Sequence, residues 1–285
     1  MTKLRKPRNN YSSQIVTPIN KKLRDNYLLI NYNQLILIIR NYTNLTMNNL
    51  IVFDIDGTLI HYIDCETTAY VESINSVIGI DKISTKWDDY SYSTESGILS
   101  EIFFQSLQRE PKNTEQCSIK DRYISYLSAS FKHNPNSLKC IPGARDVFDM
   151  AKQINWDVAI ATGGWYESAV MKLDTVGIPY HNTPMAHADD HFERKDIIMT
   201  AVSRAQHFYN KNNYHNIIYV GDRLWDLKAT QALKIDFIGV GEHLKTIENR
   251  NFFLVDDYES HDFLNYLKNF ESHYKNKENK IMDTV

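Results

Sequence analysis

Cysteine is scarce in this 285-residue chain: Cys65, Cys117 and Cys140 stand far apart and are odd in number. That excludes a disulfide framework and a zinc-ligand pattern, and it points to a reducing compartment, read here as the cytoplasm. Glycine is sparse too, ten residues in all, so a collagen-like repeat is excluded. A membrane span needs roughly 20 consecutive apolar residues. The apolar run at 35–39 (LILII) is far shorter, and Asn31, Asn33 and Gln34 precede it. No small-residue cleavage site follows it, as a secretory signal would require. Net charge is only −3, so no strong overall field recruits nucleic acid or an anionic membrane. The composition that is present, 42% apolar and 24% charged, is that of an ordinary globular protein and excludes full disorder.

The charge is unevenly placed. Residues 1–46 hold eight basic side chains against Asp25 alone, a balance of +7 that leaves −10 for the remainder. This leader has no glycine and no clear hydrophobic period. It is read as a loosely ordered basic arm with one helix over 21–39. Met47 stands just before a strand-like run and offers a second start, which would make 1–46 upstream sequence.

From residue 48 onward, short apolar runs alternate with helical patterns. Strands are expected at 50–54 (LIVFD), 157–162 (DVAIAT), 216–221 (NIIYVG) and 235–240 (IDFIGV). Continuous Val/Ile/Ala-rich runs of this length suit strands covered on both faces. Helices are expected at 143–154, 165–176, 193–210 and 225–233. The alternation predicts an α/β protein with a parallel sheet and helices on both sides. About 80 residues interrupt the rhythm after the first strand, and they read as helices near 65–79, 95–109 and 115–133. In the second, Ile98, Leu99, Ile102, Phe103 and Leu107 recur at helical spacing. A helical block inserted there would lie over the carboxyl ends of the strands, where ligands bind in open α/β sheets.

Four features fall at strand ends. Asp54-Ile-Asp56-Gly57-Thr58 directly follows the first strand. Two carboxylates two residues apart on a tight turn face one small volume, and their repulsion calls for a cation or a proton between them. A hard divalent ion held by oxygens suits the pair. Thr162, followed by Gly163 and Gly164, closes the second strand; a hydroxyl and backbone N–H groups at a helix start form either a phosphate seat or an N-cap. Arg194-Lys195 opens a helix, as a cation for an anionic ligand or as a solvated helix end. Asp222 and Asp226 follow the 216–221 strand, four residues apart, either so that one can meet a metal while the other holds it in position or as a helix cap with a first-turn acid.

In this order, the four features resemble the motifs of the haloacid dehalogenase (HAD) superfamily, over about residues 48–257. The large helical insertion after the first motif is similar to the C1 cap of phosphoglycolate phosphatase-like members. The resemblance implies a Rossmann-like three-layer core at 47–62 and 139–285 and a helical cap at 63–138. It implies a phosphatase acting on a small phosphate monoester through an aspartyl-phosphate on the nucleophile Asp54. Asp56 would be the general acid and then the base, and Thr162 and Gly163 would bind the phosphoryl group. Lys195 would offset negative charge, with Arg194 the alternative, because the Lys-Pro pair common in the third motif is here Glu193-Arg194-Lys195-Asp196. Mg²⁺ would be held by Asp54, the backbone carbonyl of Asp56, and Asp222, with Asp226 supporting.

A phosphomutase of the same superfamily is the nearest alternative. A non-catalytic phosphate-binding or signalling protein is the other, although no motif acid is missing. A dehalogenase would need neither metal nor Asp56, and nothing marks Lys82 or Lys86 as the Schiff-base lysine of a phosphonate hydrolase. The resemblance implies a small phosphorylated metabolite as partner, and neither nucleic acid nor membrane; a monomer or a homodimer is expected. His61 is expected at the cap hinge, Trp165 and Tyr166 at the entrance or in packing, and Trp225 in packing. His187, Asp189, Asp190 and His191 lie together in a loop without a second ligand set at zinc spacing.

Overall fold

The computed structural model describes residues 48–62, 64–80 and 82–270. The basic leader and its expected helix over 21–39 lie outside them.

Among the described residues the strands are β1 (Asn49–Phe53), β2 (Trp156–Ala161), β3 (Met185–Ala186), β4 (Asn216–Gly221), β5 (Asp236–Val240) and β6 (Phe253–Val255). They form one parallel sheet in the order β3-β2-β1-β4-β5-β6. From β1 the chain builds outward through β2 to β3, then returns to the other side of β1 as β4. The order therefore reverses between β1 and β4, and a crevice opens beyond their carboxyl ends. Those ends carry Asp54 and Asp222.

The expected strands hold to within a residue. Two strands, β3 and β6, have no counterpart among them. They are two and three residues long, and such short edge segments carry no readable period.

Alternate side chains of the central strands enter different layers. Ile51, Phe53, Val158, Ile160, Ile218 and Val220 pack on one face with α4 (Val147–Gln153), α5 (Tyr166–Val176) and α8 (His261–Lys268). Leu50, Val52, Ala159, Ala161 and Tyr219 pack on the other with α6 (Arg194–Phe208) and α7 (Leu224–Leu233). The result is the expected three-layer, Rossmann-like α/β arrangement. α4 is shorter than the helix expected over 143–154, because residues 142–146 form a turn that begins at Pro142.

Between β1 and α4 lie α1 (Asp64–Ile78), α2 (Glu95–Leu107) and α3 (Asn113–His133), with a short 3₁₀ turn at Trp87–Asp89. α1 packs along α3. The chain leaves and re-enters the sheet layer at adjacent points, where the N–H of His61 donates to the carbonyl of Lys139 at 2.9 Å and Ile60 bridges Cys140. His61 is exposed and belongs to this crossing. No helix among the described residues is long and apolar enough to cross a membrane.

Candidate active site

The β1 strand delivers Asp54 into the crevice, and the turn behind it needs glycine. Gly57 has φ of 78°, and a Cβ there would lie 2.3 Å from Asp222 Oδ2. The first and fourth motifs thus meet through a position that admits no side chain. The carboxylates of Asp54, Asp222 and Asp226 are all buried, and each offers an oxygen within 4.8 Å of the others. Among the described residues, this is the one acidic or histidine cluster with metal-ligand spacing.

Such a cluster is electrostatically unfavourable by itself. Burial raises the Asp54 carboxyl to about 7; Arg194 opposes the rise, and Asp226 and Asp56 add to it. Burial also pushes Asp222 well above the ordinary carboxylate range, helped by Asp226 and Asp54, and raises Asp226. The Oδ2 atom of Asp222 has no hydrogen-bond partner. Arg223 Nε is 3.1 Å from it but donates to the Tyr62 hydroxyl at 2.8 Å, and that hydroxyl donates to Asp222 Oδ1 at 3.2 Å. A set of hard oxygen donors with one orphaned and all crowded together fits a small divalent cation.

The cation already in the cluster is Arg194. Its Nη1 donates to Asp54 Oδ1 at 3.1 Å, its Nε lies 3.6 Å from Asp226 Oδ1, and its Nη2 donates to the carbonyl of Ser93 at 3.1 Å. Burial alone would lower its pKa, but Asp54, Tyr219 and Asp226 outweigh that and hold it charged. Lys195, first choice for this slot on sequence grounds, is exposed. The difference between the two neighbours follows from helix phase: α6 begins at Arg194, and the next residue projects about 100° further round.

Thr162 is buried at the end of β2, and its Oγ1 accepts the N–H of Gly164 at 3.1 Å. It therefore pins the turn that starts α5 while lining the cavity. Gly163 is the point of closest approach: a Cβ there would lie 2.6 Å from Arg194 Nη2 and 2.8 Å from the carbonyl of Ser93. The N–H of Trp165, which an anion at this helix start would use, already donates to Glu95 Oε2 at 2.6 Å.

Asp56 does not join the acidic cluster. Both its oxygens accept from Lys172 Nζ, at 2.6 Å each, and the same ammonium reaches Glu66 Oε1 at 2.7 Å. The motifs do not single out Lys172, Glu66, Glu95 or Tyr62. A signal for Lys172 exists all the same: it lies on the stripe of α5 that also buries Ala169, Leu173 and Val176. A lysine on an apolar face needs a partner.

A cavity of about 940 Å³ joins these parts. Its floor holds Asp54, Thr162, Gly163 and Arg194, and its far wall holds Glu66, Tyr70, Trp87 and Tyr123 from the inserted helices. Trp165 is fully buried, bonded through Nε1 to Ser96 Oγ at 2.7 Å, and so packs instead of lining the entrance. Tyr166 is exposed, and Trp225 lines the cavity under Arg223. The His187 loop is tied by ion pairs: Asp190 takes Arg204 through both oxygens at 2.7 Å, and Asp189 pairs with Lys120, while burial lowers the pKa of the neighbouring His187.

Residues 51–240 match the family model of the haloacid dehalogenase-like hydrolases. Among solved structures, the chain is similar to β-phosphoglucomutase from Clostridium difficile (16% identity, 80% of this chain and 99% of that one, TM-score 0.57). It is similar to CbbY from Rhodobacter sphaeroides in complex with phosphate (18% identity, 76% and 97%, TM-score 0.56). It is also similar to a hydrolase from Pseudomonas syringae (16% identity, 79% and 99%, TM-score 0.56). At these identities the likeness is one of fold. No curated protein sequence matches the chain.

Proposed function

The chain belongs to the haloacid dehalogenase-like hydrolase family, and from that premise we propose that it is a Mg²⁺-dependent phosphatase of a small phosphate monoester, working through an aspartyl-phosphate. The observation that carries this reading is the buried set Asp54, Asp222 and Asp226 around Arg194, at the floor of a cavity roofed by inserted helices. The inserted segment, 63–138, acts as the cap, and 47–62 with 139–285 as the core.

Asp54 attacks phosphorus, and the bond to the leaving oxygen breaks as the aspartyl-phosphate forms. Asp56 gives its proton to the leaving oxygen and then takes one from the water that hydrolyses the intermediate. Arg194 offsets negative charge on Asp54 and on the phosphoryl oxygens, and Thr162 with the Gly163 backbone positions them. Asp54, the carbonyl of Asp56, and Asp222 would hold Mg²⁺, with Asp226 supporting; when bound, the ion neutralises charge on the phosphoryl group. The cavity's aromatic and polar wall holds the organic part of the substrate.

The test is phosphate release from p-nitrophenyl phosphate and from a panel of phosphorylated metabolites, with and without Mg²⁺. Wild-type protein should turn over in Mg²⁺, and Asp54→Asn should abolish release. Absence of wild-type turnover on the whole panel rejects a phosphatase. A phosphomutase would return the phosphoryl group to the substrate and free no phosphate.

A further inference from the structure

Lys172 is the one fully buried lysine among the described residues, with 1% exposure. An unpaired ammonium in a protein core is costly, so its surroundings must account for it. They do so completely. Three carboxylate oxygens lie 2.6, 2.6 and 2.7 Å from Nζ, two on Asp56 and one on Glu66, and an ammonium has three donors to give. Burial works against its charge, but Asp56, Glu66 and Glu95 together outweigh the burial and keep it ionised.

The three partners come from different parts of the chain. Asp56 stands on the β1 turn two residues after Asp54, Glu66 stands in the first turn of α1, and Lys172 stands in the middle of α5. The start of α5 is held as well, because Glu95 Oε2 takes the Trp165 N–H while Glu95 Oε1 takes the Tyr123 hydroxyl at 3.0 Å. So α5 is fixed at both points to the inserted helices. A buried cation that only balanced charge would need one oxygen from each acid. Here both oxygens of one carboxylate are engaged at equal distance, which sets the rotation of that carboxylate. The carboxyl group so gripped also lines the cavity.

We propose that Lys172 is a positioning residue: it holds the Asp56 carboxylate in one orientation beside Asp54 and ties that orientation, through Glu66, to the first inserted helix. This rests on the phosphatase reading, in which Asp56 moves the proton. Proton transfer in a positioned site is worth roughly 10²–10⁴-fold in rate, and small displacements forfeit much of it.

The experiment is a double-mutant cycle on p-nitrophenyl phosphate in Mg²⁺, with wild type, Asp56→Asn, Lys172→Met and the double variant, and melting temperatures measured on each. Lys172→Met should lower kcat by about 10²-fold with KM within about threefold, since Lys172 touches neither Asp54 nor Arg194. In the Asp56→Asn background the same change should cost no more than about threefold, because residues acting as one unit are not additive. Should Lys172→Met not fold, Lys172→Gln, which keeps N–H donors without charge, carries the same cycle. Full kcat in the single variant overturns the proposal. So do losses that multiply in the double variant, because they mark Lys172 as purely structural. Either result alongside an inactive Asp54→Asn leaves the phosphatase reading standing. Wild-type protein without turnover removes both.

Discussion

The guanidinium of Arg194 does three things at once that no ammonium at 195 reaches. It meets the nucleophile candidate Asp54, lies beside Asp226, and donates to the Ser93 carbonyl just before α2. A planar fork matches several acceptors in fixed directions, whereas lysine is a point charge on a flexible stem. Arg194→Ala should therefore lower kcat/KM on an aryl phosphate by at least about 10²-fold, as expected for loss of a charge-stabilising donor. Arg194→Lys should recover part of that loss, roughly tenfold short of wild type, because charge returns without the fork. Lys195→Ala should stay within about twofold, as surface substitutions usually do. Steady-state kinetics on the three variants decides it: a loss at Lys195 as large as at Arg194 would return the role to the lysine. Motif order and spacing locate the third motif at 194–195 but do not choose between the neighbours. Which of two adjacent residues faces the sheet depends on where the first helical turn begins, and a one-residue difference in that start rotates the choice. The apolar stripe of α5 marks Lys172 as needing a partner, but which partners is illegible for a related reason: they lie 106 and 116 residues away, and only the folded sheet brings them together.

At the scale of elements, the junction of α2 with α5 is the informative one. Thr94 caps α2 by accepting the N–H of Gly97, and its neighbour Glu95 serves a different helix, taking the N–H of Trp165. Burial raises the Glu95 carboxyl from 4.5 to about 7; Lys172 and the Trp165 N–H oppose the rise, and Glu66 and Asp56 add to it. The folded form thus binds a proton here that the unfolded chain releases near pH 4.5. Between about pH 4.5 and 7 the folded state holds more protons, so this group's contribution to stability falls as pH rises through that window and is level above it. Glu95→Gln keeps an oxygen for Trp165 and an amide for Tyr123 but never ionises. The variant should melt a few degrees above wild type at about pH 8, with a smaller gap at about pH 5. A variant that melts lower than wild type at the higher pH would show that the ionised carboxylate is what holds α5. None of this pairing can be read from local pattern. The helices themselves can be, because their apolar spacing is set within one turn, whereas β3 and β6 are defined only by the strands they border.

Over the whole molecule, the near-neutral charge divides into a basic 1–46 and a remainder of −10, and part of that surplus is concentrated at one point. Asp54, Asp222 and Asp226 are buried together with Arg194 and, at the edge, Arg223. The order of the four motifs makes this convergence legible in the sequence, since β1 and β4 must be neighbours at the reversal of strand order for the first and fourth motifs to meet. Hydrogen bonds and burial then decide what the convergence needs. Two of the three carboxyls face Arg194, and Asp222 Oδ2 is left without a hydrogen bond, so the folded state carries a strain that the unfolded chain does not and that a divalent cation would relieve. A ligand of this kind stabilises by mass action, about 2.7 kcal/mol when present at a hundredfold its Kd. At roughly 2–4 °C per kcal/mol for a domain of this size, saturating Mg²⁺ should raise the melting temperature by about 5–10 °C near neutral pH. Asp222→Asn should melt higher than wild type without the ion, because a buried carboxyl held well above its ordinary range is gone, and should lose most of the Mg²⁺ response. Thermal melts of both proteins in Mg²⁺ and in sodium chloride of matched ionic strength separate site binding from screening of the acidic surface. An equal rise in the salt control, or an undiminished Mg²⁺ response in Asp222→Asn, would mean that the three acids do not hold the ion and that their repulsion is met by Arg194 alone.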